Sequence, residues 1–135
     1  MPTGKYLLDT HALIFWANRM EMPRALIDLL DASLLQGGLM VSSVCFWEIA
    51  LLVKKKRLEL EDIHGWKTEL LENTGLQLIN PSVSDMIDST RLTDHHKDPF
   101  DRLLISQTLR LQATLITRDP IISLYPVDTL WMVQT

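Results

Sequence analysis

At 135 residues, 47% hydrophobic and 22% charged, the chain has the size and composition of one soluble globular domain with room for a core. Its net charge of −4 argues against a protein built simply to coat nucleic acid, though not against an enzyme with acids in one pocket and basic residues around it. A single cysteine excludes an internal disulfide and a cysteine-based zinc site, which suits a reducing cytoplasm.

Lys5-Tyr6-Leu7-Leu8 reads as a short buried strand. Asp9 and His11 interrupt the only apolar run near the amino end, so no secretory signal is expected there. No apolar run approaches the roughly 18 residues of a membrane span. His11 to Trp16 continues as a short helix with Asp9 or Thr10 as its cap. Pro23 opens a second helix at the first-turn position proline prefers, with Leu26, Leu29, Leu30 and Leu34 as its apolar stripe and Gly37-Gly38 at its end. Leu39-Met40-Val41 is the second strand.

The stretch that follows breaks a simple rule. Val44-Cys45-Phe46-Trp47-Glu48-Ile49-Ala50-Leu51-Leu52-Val53 is apolar at every position but Glu48. Ser42 or Ser43 caps its amino end, and Lys54-Lys55-Lys56-Arg57 close its carboxyl end, where cations suit the helix dipole. A helix apolar on nearly every side is expected to be buried on most faces. A carboxylate in such a helix is expensive unless it is paired, protonated or bound to a metal.

Ile63, Trp66 and Leu70 mark another amphipathic helix, stopped near Gly75. Leu76-Gln77-Leu78-Ile79 is a third strand, and Val83, Met86 and Ile87 outline a short helix after it. A polar connection through His95 and His96 leads to a helix opened by Asp98-Pro99 and carrying Leu103, Leu104, Leu109 and Leu111. Ala113 to Thr117 is the fourth strand, Asp119-Pro120 starts a turn, and Val127 to Val133 reads as a fifth strand.

Short apolar strands alternating with amphipathic helices predict a single α/β domain over residues 1–135, a sandwich with a largely parallel sheet. In such folds the ligand site lies beyond the carboxyl ends of the strands. Asp9 follows strand one, Glu48 lies a turn or two into the helix after strand two, Asp98 and Asp101 open the helix before strand four, and Asp119 follows strand four, so all five converge on one edge. Taken singly, Asp9, Asp98 and Asp119 are explained by helix or turn capping, and Asp101 by its place in a helix's first turn. Their common placement is not explained that way. Two carboxylates about 5 Å apart repel by roughly 3 kcal/mol at an effective dielectric near 20, so several together call for protons or a cation. All the donors are oxygens, which suits Mg²⁺ or Mn²⁺ better than zinc, and such a pocket suits phosphoryl chemistry. The histidines His11, His64, His95 and His96 form no HExxH-like pattern and read as surface groups or supports of the ligands rather than ligands. No Walker loop, GxGxxG, GxSxG or CxxC is present.

The ordered set Leu7-Leu8-Asp9-Thr10-His11, Ser42-Ser43 with Trp47-Glu48-Ile49, His96-Lys97-Asp98-Pro99-Phe100-Asp101-Arg102-Leu103-Leu104 and Leu115-Ile116-Thr117-Arg118-Asp119 resembles the PIN-domain ribonucleases. The likeness is in particular to the VapC-like toxins of toxin–antitoxin pairs, and it runs over essentially the whole chain. It implies a three-layer sandwich around a mostly parallel five-stranded sheet, and an Mg²⁺- or Mn²⁺-dependent endoribonuclease. The family's four acids fall on Asp9, Glu48, Asp101 and Asp119, with Asp98 as a further contributor ranked below Asp101. Thr10 and Thr117 match hydroxyl positions that support the acids or hold water. The resemblance also implies a homodimer and an antitoxin that blocks the acidic cleft. For RNA contact, Arg102 and Arg118 are favoured because each adjoins a proposed ligand. The competing expectations are a receiver-like phosphoacceptor module and a PIN-like scaffold that binds RNA or protein without cutting. Asn80-Pro81 after the third strand and the lack of lysine beyond Lys97 count against the receiver.

Overall fold

The computed structural model describes residues 4–132. Five strands, β1 (Tyr6–Leu8), β2 (Leu39–Ser42), β3 (Gln77–Ile79), β4 (Thr114–Ile116) and β5 (Thr129–Leu130), form one sheet in the order β3-β2-β1-β4-β5. Every neighbouring pair is parallel, and β1, paired on both sides, places Leu8 opposite Val41 and Ile116. Parallel strands need crossovers, which here are helical: α1 (Thr10–Asn18) and α2 (Arg24–Leu35) before β2, α3 (Ser43–Lys54) and α4 (Ile63–Asn73) before β3, α5 (Val83–Ser89) and α6 (Pro99–Leu111) before β4. The result is the expected α/β three-layer sandwich, a parallel sheet flanked by helices. Among the described residues no helix is long and apolar enough to cross a membrane.

β1, β2 and β4 are buried along their length, because both faces of a parallel sheet are covered by crossovers. Leu7, Leu8, Leu13, Leu26, Leu30, Leu39, Ile49, Leu104, Ile105, Leu115 and Ile116 fill the core. The strand order differs from the 2-1-3-4-5 arrangement of receiver-type folds, which sets the receiver expectation aside.

Several local expectations change on folding. α3 is capped by Ser42, whose hydroxyl accepts the Val44 amide at 3.2 Å, but it is not buried on most faces. Val44, Cys45 and Ile49 face the core while Trp47 is 63% exposed, edge-on to Phe100 with ring centroids 5.1 Å apart. The fifth strand is two residues long, and its expected end at Val133 lies outside the described residues. α5 is turned opposite to its apolar pattern. Val83, Met86 and Ile87 are exposed, and Asp85 is buried. Asp85 closes a capping box with Ser82 and accepts the Arg110 Nε at 2.7 Å. Burial pushes the Asp85 carboxyl up, but the Arg110 hydrogen bond and the Ser82 amide and hydroxyl outweigh it and hold the group below its ordinary range.

That pair fastens α5 to α6. Asp85→Ala is expected to lower stability by about 2 kcal/mol in a denaturant titration, through loss of the cap and of Arg110's partner. With the folded pKa depressed, the contribution is present above the unfolded carboxylate pKa and fades as pH falls through the folded value. An unchanged denaturation midpoint for the variant would contradict this.

Candidate metal centre at the carboxyl ends of β1 and β4

In the order β3-β2-β1-β4-β5 the chain leaves β1 toward one edge and returns on its other side through β4, so a crevice opens beyond the ends of these two strands. Asp9 is the first residue past β1. Its amide donates to the Ile116 carbonyl at 3.1 Å, and its Oδ1 caps α1 by accepting the Ala12 amide at 2.8 Å. The capping explanation is therefore true, and the same carboxylate lines the crevice. Thr117, just past β4, hydrogen-bonds the Asp9 carboxylate and accepts the Asp119 amide at 3.1 Å. Glu48, near the middle of α3, accepts the hydroxyl of Thr10. Asp98 caps α6 through the Phe100 amide at 2.9 Å, and Asp101 lies within the first turn of that helix. Asp119 accepts the Ile121 amide at 2.9 Å.

Asp9, Thr10, Glu48, Asp98, Asp101 and Asp119 line one pocket of about 330 Å³, together with His11, Phe15, Arg118 and Trp131. The acids also act on one another. Burial, followed by the charges of Asp98, Asp9, Glu48 and Asp119, pushes the Asp101 carboxyl up to about 8. Burial raises Asp9, opposed by Thr117 and the Ala12 amide, and it raises Glu48, opposed by the Thr10 hydroxyl. The oxygen-rich donor set and the repulsion within it fit a hard divalent cation.

His96 comes into this cluster from the connection before α6. Its Nε2 lies 2.9 Å from Asp119 Oδ2 and 3.1 Å from Asp101 Oδ2, and the three side chains offer donor atoms within 4.8 Å of one another. The group is able to coordinate a divalent ion. The Asp98 amide, however, donates to His96 Nδ1 at 3.1 Å, which leaves the ring proton on Nε2, directed at the two carboxylates. In this tautomer the imidazole aligns the acids as a donor. The sequence marks no single histidine for that task, because only the folded connection shows which one meets the acids.

Arg102 departs from the expectation of RNA contact. Its guanidinium is spent on the carbonyls of Ser89, Leu92, Thr93 and His96 at 2.9–3.1 Å, and its side chain is only 11% exposed. It fastens the connection that carries His96 and Asp98, and few of its donors are left for a ligand. Arg118 does lie on the pocket wall, about half exposed. Phe15 and Trp131 stand beside it, two residues that the sequence does not distinguish from core aromatics. The Lys54–Arg57 cluster is exposed at the far end of α3, as ordinary helix-end charge would be.

Residues 6–127 match the family described as PIN domain. Among solved structures the chain is similar to one in the crystal structure of VapBC2 from Rickettsia felis bound to a DNA fragment from their promoter. The two are 18% identical over 93% of this chain and 96% of that one, with a TM-score of 0.68. No match was found among curated proteins.

The raised Asp101 pKa sets a sign for stability. Between the ordinary carboxylate pKa and about 8 the folded protein binds a proton the unfolded chain does not, so metal-free protein should lose stability as pH rises through that window. Asp101→Asn should flatten the slope and raise the melting temperature on the alkaline side by several degrees. Melting curves across pH in the presence of a chelator check this, and a wild-type slope in the variant would contradict it.

Proposed function

The chain belongs to the PIN-domain family, and on that premise we propose that it is a Mg²⁺- or Mn²⁺-dependent endoribonuclease, the toxin of a toxin–antitoxin pair acting in the cytoplasm. The observation that carries this reading is the convergence of Asp9, Glu48, Asp98, Asp101 and Asp119 on one pocket, where Asp101 is pushed up to about 8 by burial and by the other four charges. An intact acid set of this kind favours a nuclease over a scaffold that only binds.

Asp9, Glu48, Asp101 and Asp119 would hold the ion, with Asp98 as a further contributor. A divalent ion bound there supplies an acidified water and neutralises charge on the phosphoryl oxygens. The chain's own residues do the rest. Thr10 and Thr117 fix the Glu48 and Asp9 carboxylates by hydrogen bonds, and His96 holds Asp101 and Asp119 through its Nε2 proton. A carboxylate of this set takes the proton of the attacking water. Arg118 is the basic residue placed to meet the RNA, and Arg102 acts indirectly, by holding the connection to α6. A homodimer and a cognate antitoxin complete the reading. The structural likeness to a chain of VapBC2 supports the partner, and the exposed apolar residues of α5 are of the kind a second protein surface covers.

Purified protein freed of any partner should cleave RNA with Mg²⁺ or Mn²⁺ and stop when EDTA is added. Glu48→Gln and Asp9→Asn should each lower the rate by roughly 100-fold or more. Asn caps a helix as well as Asp does, so Asp9→Asn should keep its fold. Equal cutting by a well-folded Glu48→Gln protein would overturn the assignment.

A further inference from the structure

One wall of the acidic pocket has a different chemistry. Arg118 is the one lysine or arginine among its described lining residues, and it stands with Phe15 and Trp131. The guanidinium carbon lies 4.6 Å from the Phe15 ring centroid and 5.8 Å from that of Trp131, and the two rings meet edge to face at 6.4 Å. The backbone sets this arrangement. The Thr117 amide donates to the Leu130 carbonyl at 3.3 Å, which ties the end of β4 to β5 and places Trp131 beside Arg118. α1 brings Phe15 to the same wall, on the pocket side with His11 and Ala12.

A guanidinium held over aromatic rings keeps its N–H donors for other acceptors, and the rings restrict its rotamers. Among the described residues its one ion pair, to Glu21 at 3.6 Å, is long and joins two side chains that are each more than half exposed. Pairs of that kind hold little. The cation is thus positioned by the rings, with its side chain 52% exposed. A polyanion that enters a pocket of five carboxylates is repelled, and a fixed cation on the wall both offsets that repulsion and sets the register of the strand.

Resting on the nuclease reading, we propose that Arg118 is a phosphate clamp. It donates to the non-bridging oxygens of an RNA backbone phosphate neighbouring the one that is cut, and Phe15 and Trp131 are positioning residues that hold its guanidinium. A clamp on the backbone carries no base preference, so its loss should weaken all RNA sequences alike.

The test uses the full chain in two assays. Binding of a fluorophore-labelled single-stranded RNA of mixed sequence is measured with Mg²⁺ in the Glu48→Gln background, and steady-state cleavage is measured in the otherwise native protein. Arg118→Ala should weaken binding roughly tenfold and raise KM by a similar factor while kcat changes far less. It should also reduce the slope of log affinity against log salt by about 0.7, the share of one single-strand phosphate contact. Phe15→Leu keeps the charge, so it should lose affinity in part and retain the salt slope. Glu21→Gln should bind at least as tightly as the parent. If Arg118→Ala disturbs the fold, Arg118→Lys serves, since a point charge without the planar fork should keep the salt slope and lose affinity. Active wild-type protein with unchanged KM and salt slope in a folded Arg118→Ala variant would overturn the clamp and leave the nuclease reading standing. Arg118-dependent RNA binding by a protein that never cuts would do the reverse. A fall in kcat alone would also overturn the clamp.

Discussion

Repulsion among carboxylates that the backbone prevents from separating is the constraint on which this structure turns. Asp9, Asp98 and Asp119 each accept a backbone amide just ahead of them, so each is anchored where its helix or turn begins. Caps of this kind are worth about 1 kcal/mol apiece, less than the roughly 3 kcal/mol by which two close carboxylates repel, so the balance is met by a proton or a cation at the site. Local folding rules and the candidate site therefore use the same atoms. Burial and neighbouring charge then push Asp101, which lies in the first turn of its helix, to about 8.

The connection before α6 is built to hold this arrangement. Arg102 donates to the carbonyls of Ser89, Leu92, Thr93 and His96, and the Tyr125 hydroxyl donates to Thr93 while accepting the His96 amide at 2.8 Å. A polar segment without helix or strand is in this way pinned at several carbonyls. His96 is presented to Asp101 and Asp119, and Asp98 to the Phe100 amide, by a loop whose Leu92, Thr93 and His96 carbonyls are all hydrogen-bonded. The chemistry and its support meet within a few residues: Asp101 faces the pocket, while its neighbour Arg102 faces back into the loop.

Much of this was legible in the sequence because it rests on local rules. Short apolar runs bounded by turn residues at Tyr6–Leu8, Leu39–Val41 and Leu115–Ile116 read as buried strands, and cap-then-proline pairs mark where the chain turns back. The grouping of the acids followed from their places after strands and at the starts of helices. What depends on long-range packing was not legible. α5 faces its apolar residues outward because the Asp85–Arg110 pair decides its rotation, and Arg110 is 25 residues away in sequence. α3 leaves Trp47 largely exposed, its ring covered in part by Phe100 of α6. Arg102 looked like an RNA contact beside an acid, and only the folded connection shows the carbonyls that claim it. Phe15 and Trp131 carried no signal, since an aromatic in a helix or strand usually means core.

If these carboxyls share one cation, calorimetric titration of Mg²⁺ or Mn²⁺ into metal-free protein near neutral pH should register the ion binding. With Asp101 titrating near 8, a proton is held at the site before the ion arrives. Repeating the titration in buffers of different ionisation enthalpy should show binding accompanied by release of close to one proton, and Asp101→Asn should abolish that release. Binding without proton release, or no binding to the folded wild-type chain, would rule out a cation shared at Asp101.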